Sequence, residues 1–248
     1  MTTTFPLALT FLTKLPWPWP GPADEAALAR SMFWFPWVGA LLGLGFWGAW
    51  LGLIKILPTP AAAALLLALT VFITGGLHLD GLADTADGLG GGHTPADSLR
   101  IMKDSRVGAF GVISLIVALL WKFALFSSLA AIEARSLLLY PVISRWGMVL
   151  LAYLSPYARP EGGLGQAMTL GVSRQVAGGA SLSAGALSLA LLGVKGLVLF
   201  GIAGLIVWMG SLYFQKRLGG ITGDVLGAAN EILEVLVLTG ALMLEQLR

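Results

Sequence analysis

From Ser31 to Ile54, and again from Leu57 to Leu77, the chain carries no charged residue. A helix needs roughly 20 mostly apolar residues to cross the hydrocarbon core of a bilayer. Inside lipid every backbone polar group must be satisfied internally, so such stretches predict helices rather than open strands. The pattern recurs along the sequence. Gly108–Ile132 is interrupted only by Lys122, and Leu137–Leu154 only by Arg145. Val176–Val194 and Gly196–Gln215 flank Lys195, and Val225–Leu244 holds Glu231 and Glu234 in its first half. The expected fold class is all-α: a polytopic integral membrane helical bundle of about seven transmembrane helices, one domain over 1–248. Composition agrees, because 11% of residues are charged, against the roughly 25% a soluble domain uses to cover its surface.

Charge sets the orientation. With the N-terminus inside, the inner segments hold Lys14, Arg30, Arg100, Lys103, Arg106, Arg159, Arg174, Lys216 and Arg217, and the outer ones only Lys55, Arg135, Lys195 and Arg248. Nine against four places the N-terminus in the cytoplasm of a plasma-membrane protein. The acidic segment 75–111 and the Lys216–Asp224 connection then share the cytoplasmic side. Phe5–Leu12 is apolar, with no basic residue before it and no small-residue cleavage site after it. Phe5–Lys14 is expected to be a retained, surface-lying or half-inserted segment. Trp17 and Trp19, among Pro16, Pro18 and Pro20, are expected as interfacial anchors. A net charge of +2 without a basic run gives no footprint for nucleic acid. The absence of cysteine excludes disulfides, thiolate metal sites and thiol catalysis. Glycines such as Gly39 and Gly43 suit close helix packing, and a homo-oligomer through glycine-rich helices is expected.

The chemistry gathers between His78 and Arg106. Asp80, Asp84 and Asp87 are spaced i, i+4 and i+7, which puts three carboxylates on one helix face. Like charges at this spacing repel unless a cation neutralises them. Oxygen ligands suit a hard divalent ion, and Mg²⁺ is the usual one where phosphates complete the shell. Thr94, Pro95 and Asp97 read as a helix start, so Asp97 is assigned to the cap. Beyond it Arg100, Lys103 and Asp104 share a face, which suits a fourth ligand flanked by phosphate clamps, with Arg106 next in sequence. Asp224 and Glu231 lie seven apart on one face, and Arg145 inside its span needs an acidic or phosphate partner. His78, off the aspartate face, is a titratable group and a candidate base. Lys122 is expected to snorkel or to reach a phosphate.

The blocks GGLHLDGLADTADG (75–88), IMKDSRVGAFG (101–111) and GGITGDVLGAANE (219–231) resemble the signatures of the cobalamin synthase family, the adenosylcobinamide-GDP ribazoletransferases. FLTKLP (11–16) and FPWVG (35–39) fit as well. The resemblance implies transfer of the adenosylcobinamide-phosphate group from adenosylcobinamide-GDP to α-ribazole or its 5′-phosphate, with release of GMP and a requirement for Mg²⁺. It implies Asp80, Asp84, Asp87 and Asp104 as metal residues and Arg100, Lys103 and Arg106 on the diphosphate. Asp224, Asn230 and Glu231, with Arg145, would complete or orient the site, and Asp84 and His78 are the candidates for the hydroxyl proton. Other aspartate-rich membrane transferases are the nearest alternatives. CDP-alcohol phosphotransferases place an Ala-Arg pair where this chain has Ala83-Asp84, and prenyltransferases usually have more spans. A cation-coupled transporter would gather its charges at the midplane rather than at one face.

Overall fold

The computed structural model describes residues 4–17, 24–129, 133–159, 161–162 and 164–246. Trp19, with Pro18 and Pro20, lies outside them, as do Arg248 and Ile132 at the end of the expected third span. The described residues are helical, and their one β pairing is an isolated bridge between Tyr157 and Ile221.

Short helices α1 (Thr4–Leu12) and α2 (Glu25–Ser31) lead into α3 (Phe35–Ile56). Helices α4 (Thr59–Thr74), α5 (Leu77–Gly91), α6 (Pro95–Ile101) and α7 (Ala109–Ser127) follow. The second half holds α8 (Ser136–Leu154), α9 (Leu164–Gly171), α10 (Arg174–Leu218) and α11 (Gly223–Gln246). By length and apolarity five helical runs can cross a membrane, and the bent pair α4–α5 makes a sixth. The all-α polytopic bundle is as expected, with shifted boundaries. The second apolar run ends its helix at Thr74 rather than at Leu77. Gly75 (φ 63°) and Gly76 (φ 70°) are both left-handed, and this pair turns the chain by 88°. Two helices at that angle cannot both follow the membrane normal. The pair is a broken span or a re-entrant loop, with the uncharged α4 before the bend and the three aspartates of α5 after it.

At Gly193 (φ 61°, ψ −141°) α10 breaks. Its limbs fold back on each other: a β-carbon on Gly196 would collide with the Ser188 carbonyl, and Gly185 faces Phe200. Trp146 of α8 touches both limbs, donating its indole N–H to Ser181 Oγ at 2.9 Å while packing on the Phe200 ring. The two apolar runs on either side of Lys195 therefore form a helical hairpin.

Helices α8 and α11 are mostly buried, whereas α7 and α10 turn most of their surface outward. The outward side chains include Ile113, Ile116, Val117 and Leu120 on α7, and Leu182, Ile202, Leu205 and Met209 on α10, a surface suited to lipid. Between lipid-exposed helices burial from water drives little, so close packing decides association. Glycines supply it. A β-carbon on Gly43 of α3 would lie 2.5 Å from the Leu138 carbonyl oxygen, and Gly39 is pressed on Pro141 in the same way. Helix α1 is packed on the bundle through Leu7, Ala8, Leu9 and Leu12 rather than lying free on a surface.

Candidate active site

Two glycines bring the acidic elements together. Gly81 of α5 faces α11 so closely that a β-carbon there would lie 2.7 Å from the Asp224 carbonyl oxygen. Opposite it, Gly227 sits against the His78 backbone, where a β-carbon would lie 3.3 Å from Cα. This crossing sets Asp224, in the first turn of α11, beside Asp80 and Asp84. Asp84 is half-buried, and burial together with the Asp224 and Asp80 carboxylates pushes its carboxyl up to about 6. Arg159, in the loop after α8, opposes this and donates to Asp224 Oδ2 at 2.7 Å. The chain from Pro156 to Ala158 is stitched to Ile221 by two backbone hydrogen bonds of 2.9 Å, which fixes Arg159 over the start of α11. Arg217 donates to the Gly92 and Leu89 carbonyls at the end of α5. The acidic segment and the Lys216–Asp224 connection therefore meet on one side of the bundle.

Asp87 does a different task. Its Oδ2 accepts from the Gly108 N–H at 2.6 Å and its Oδ1 from the Gly111 N–H at 2.8 Å. The carboxylate thus satisfies donors at the start of α7, where the helix dipole favours a negative charge. A β-carbon on Gly108 would fall 2.5 Å from Asp87 Oδ1, so the glycines of GAFG are there to admit the carboxylate. Asp87→Ala and Gly111→Ala should each lower stability by about 2 kcal/mol, the size of a lost charged cap. Because both remove the same bonds, the double variant should cost clearly less than the sum of the two. Thermal melting of the three variants checks this, and additive losses would separate the glycine from the cap.

The remaining expected residues divide into two groups. Asp97 and Thr94 form the expected cap, with the Asp97 N–H on Thr94 Oγ1 at 3.1 Å. Asp104 lies on the exposed turn after α6, where hydrogen bonds from the Arg106 side chain and backbone hold its carboxyl down at about 2. Its oxygens receive Arg106 Nε at 3.0 Å and Nη2 at 2.8 Å. Lys103 pairs with Glu161, and Arg100 stands 3.8 Å from Asp97, all on the exposed side. Arg145, Asn230 and Glu231 are instead enclosed. Arg145 finds the acidic partner its position demanded in Glu234, and Glu231 takes Lys122 at 2.6 Å. Asn230 Nδ2 donates to Glu234 Oε1 at 3.1 Å. Lys122 is buried between Glu231 and Glu234 and neither snorkels nor faces an open phosphate site. His78 is buried, with neither ring nitrogen hydrogen-bonded among the described residues. Within the same limits, no three His, Asp or Glu side chains already converge on a single metal position.

Sequence reasoning missed Arg159 as a site residue. Its only signal is a lone arginine, two residues before Glu161, in the short loop that ends a span.

A family model described as cobalamin-5-phosphate synthase matches residues 4–242. An adenosylcobinamide-GDP ribazoletransferase of Syntrophobacter fumaroxidans is 44% identical over 245 residues, 96% of this chain and 97% of the relative. Proteins of the same name from Pseudomonas putida (43% over 238 residues, 95% and 97%) and Desulfitobacterium hafniense (40% over 243, 95% and 94%) are also similar. No solved structure matches.

Proposed function

The chain belongs to the cobalamin-5-phosphate synthase family, and from that premise we propose that it transfers adenosylcobinamide phosphate from adenosylcobinamide-GDP to α-ribazole or α-ribazole 5′-phosphate. The acceptor hydroxyl oxygen forms a new bond to the cobinamide-side phosphorus. The bond from that phosphorus to the bridging oxygen breaks, GMP leaves with that oxygen, and the hydroxyl proton passes to a carboxylate. The observation that carries this reading is the glycine crossing of α5 and α11, which sets Asp80, Asp84 and Asp224 side by side next to Arg159.

The donor set suits a hard divalent cation such as Mg²⁺. Burial, and then the Asp224 and Asp80 carboxylates beside it, raise Asp84, and oxygen is the ligand such an ion prefers. Asp80, Asp84 and Asp224 would hold it, and it would neutralise charge on the diphosphate. Asp84, half-buried but open beside Asp224, is the group placed to take the hydroxyl proton; the enclosed His78 is not. Arg159, paired with Asp224 at 2.7 Å, would be free to turn onto a phosphate oxygen if a cation were held by that carboxylate. Arg100, Lys103 and Arg106 stand exposed on the same side with only surface partners, free to turn onto the diphosphate. Asp104 orients Arg106, and Asp87 holds the start of α7. The excess of basic residues on this side supports a plasma-membrane protein with the site facing the cytoplasm.

The test is direct. Purified protein, Mg²⁺, adenosylcobinamide-GDP and α-ribazole 5′-phosphate should yield GMP and a complete corrinoid in equal amounts. Folded, cooperatively melting protein that releases no GMP would overturn the reading.

A further inference from the structure

Asp80, Asp84 and Asp87 share a helix face but not an environment. Along α5 the side chains pass from the exposed Asp80 through the half-buried Asp84 to the buried Asp87. Both oxygens of Asp87 are occupied, by the N–H groups of Gly108 and Gly111. A cation bound there would have to share a carboxylate committed to two donors at a helix start. It would also face the first turn of α7, where the helix dipole is positive and repels it.

The next residue of α5 has a matching task. Gly88 admits α6 so closely that a β-carbon on it would lie 2.9 Å from both the Ser98 carbonyl oxygen and Sδ of the buried Met102. One turn further on, a β-carbon on Gly92 would come within 2.6 Å of Ser98 Cα. Helix α6 is therefore seated on α5, and the chain leaving it starts from Met102 on Gly88. It returns to α5 at Gly108, on Asp87. Between these two anchors lie Lys103, Asp104 and Arg106. The connection is also closed within itself. The Asp104 N–H donates to the Ile101 carbonyl at 2.9 Å, and Asp104 Oδ1 accepts from the Arg106 N–H at 3.0 Å. Both anchors are thus adjacent residues of one helix, and Asp84 stands one turn earlier on it, about 4.5 Å along the axis.

We propose that Asp87 is a positioning residue rather than a cation ligand: it holds the basic turn, with Lys103 and Arg106, at a fixed place against Asp80 and Asp84. This role rests on the transfer reaction proposed above, in which the turn meets the diphosphate; it adds which aspartate serves the cation and which the turn. Asp87→Asn is the decisive variant. It keeps the shape of the side chain, but its amide group turns a donor towards one of the two N–H groups and opens one side of the clamp. KM for adenosylcobinamide-GDP, which does not depend on how much of a preparation is folded, should rise about tenfold or more, as expected when a substrate-positioning group is displaced. KM for α-ribazole 5′-phosphate and the Mg²⁺ concentration giving half the maximal rate should stay near their wild-type values. Gly111→Ala crowds the same carboxylate while leaving Asp87 in place. It should reproduce the pattern, and it carries the test if Asp87→Asn does not fold. Melting with Mg²⁺ alone reads the cation apart from turnover: Asp87→Asn should gain as much from Mg²⁺ as the wild type, and Asp80→Asn should gain little. A Mg²⁺ response lost in Asp87→Asn would make this residue a ligand and overturn the proposal. So would an unchanged KM for adenosylcobinamide-GDP in both variants, since the clamp would then serve stability alone. If the wild-type protein releases no GMP, the transfer reaction itself fails. Equilibrium dialysis of labelled adenosylcobinamide-GDP against the variants, with the Mg²⁺ melts, then still decides what Asp87 does.

Discussion

Asp84→Asn is expected to remove GMP release almost completely while making the cation-free protein more stable at neutral pH. The substitution keeps the shape of the side chain and removes both its charge and its capacity to take a proton. Loss of a positioned acid–base group costs about 10²–10⁴ in rate, and loss of a cation ligand adds to this. The stability gain follows from the sign of the shift. Asp84 in the folded protein binds its proton up to about pH 6, above the ordinary carboxylate range. Between the two values the folded chain holds more protons than the unfolded chain, so native stability falls as pH rises through this window. Asparagine has no such dependence. The variant should therefore melt above the wild type at pH 7 without Mg²⁺, and the gap should close towards pH 4. Mg²⁺ should raise the wild-type melting temperature and leave the variant nearly unmoved. The wild-type response should itself weaken below about pH 6, where a proton competes for Asp84. A variant that turns over at the wild-type rate, or that responds equally to Mg²⁺, would remove Asp84 from both roles.

How much of this was legible in the sequence depended on whether a residue's partner lay nearby. The apolar runs, the Thr94–Asp97 cap and the shared face of Asp80 and Asp84 follow from local period and composition, and all three appear in the structure. Arg145 could be assigned an acidic partner because an unpaired cation inside a span is too costly to stand alone. Asp87 was legible as a carboxylate on the face of Asp80, but not as the cap of a helix starting 22 residues later. Only the spacing of Gly108 and Gly111 hinted at it, and their reason for being glycine emerges once the carboxylate is seen between them. The Arg159–Asp224 pair joins residues 65 apart through a loop whose course no periodicity sets. The hairpin in α10 is a similar case. Lys195 marked the division between two runs, but the turn is made at Gly193, where the backbone needs a positive φ. The bend before α5 escaped for a related reason, since the residues of its turn are as apolar as the span they end.

The second large effect belongs to the enclosed charges. Lys122 of α7, Arg145 of α8, and Glu231 and Glu234 of α11 form a buried set with no net charge. Glu234 is its centre, since it touches both cations and also receives Asn230. Glu234→Gln leaves two cations with one carboxylate between them, in a place where water cannot compensate. Breaking a buried pair by removing one partner costs about 3–5 kcal/mol, and this residue serves two pairs across three helices. The variant is expected to lose most of its thermal stability and to yield little folded protein in mild detergent. Glu231→Gln should be milder, because Glu231 touches Lys122 alone and Glu234 still holds both cations. The telling comparison is the double variant Lys122→Met, Glu231→Gln. It removes one charge of each sign and leaves Arg145 paired with Glu234, so it should melt closer to the wild type than either Glu234→Gln or Lys122→Met alone. A double variant less stable than both would show that these side chains are held by shape and hydrogen bonding rather than by balance of charge. If charge balance decides, the bundle tolerates fewer charges but not unequal ones, and the network serves to lock α7 and α8 onto the helix that carries Asp224 to the site.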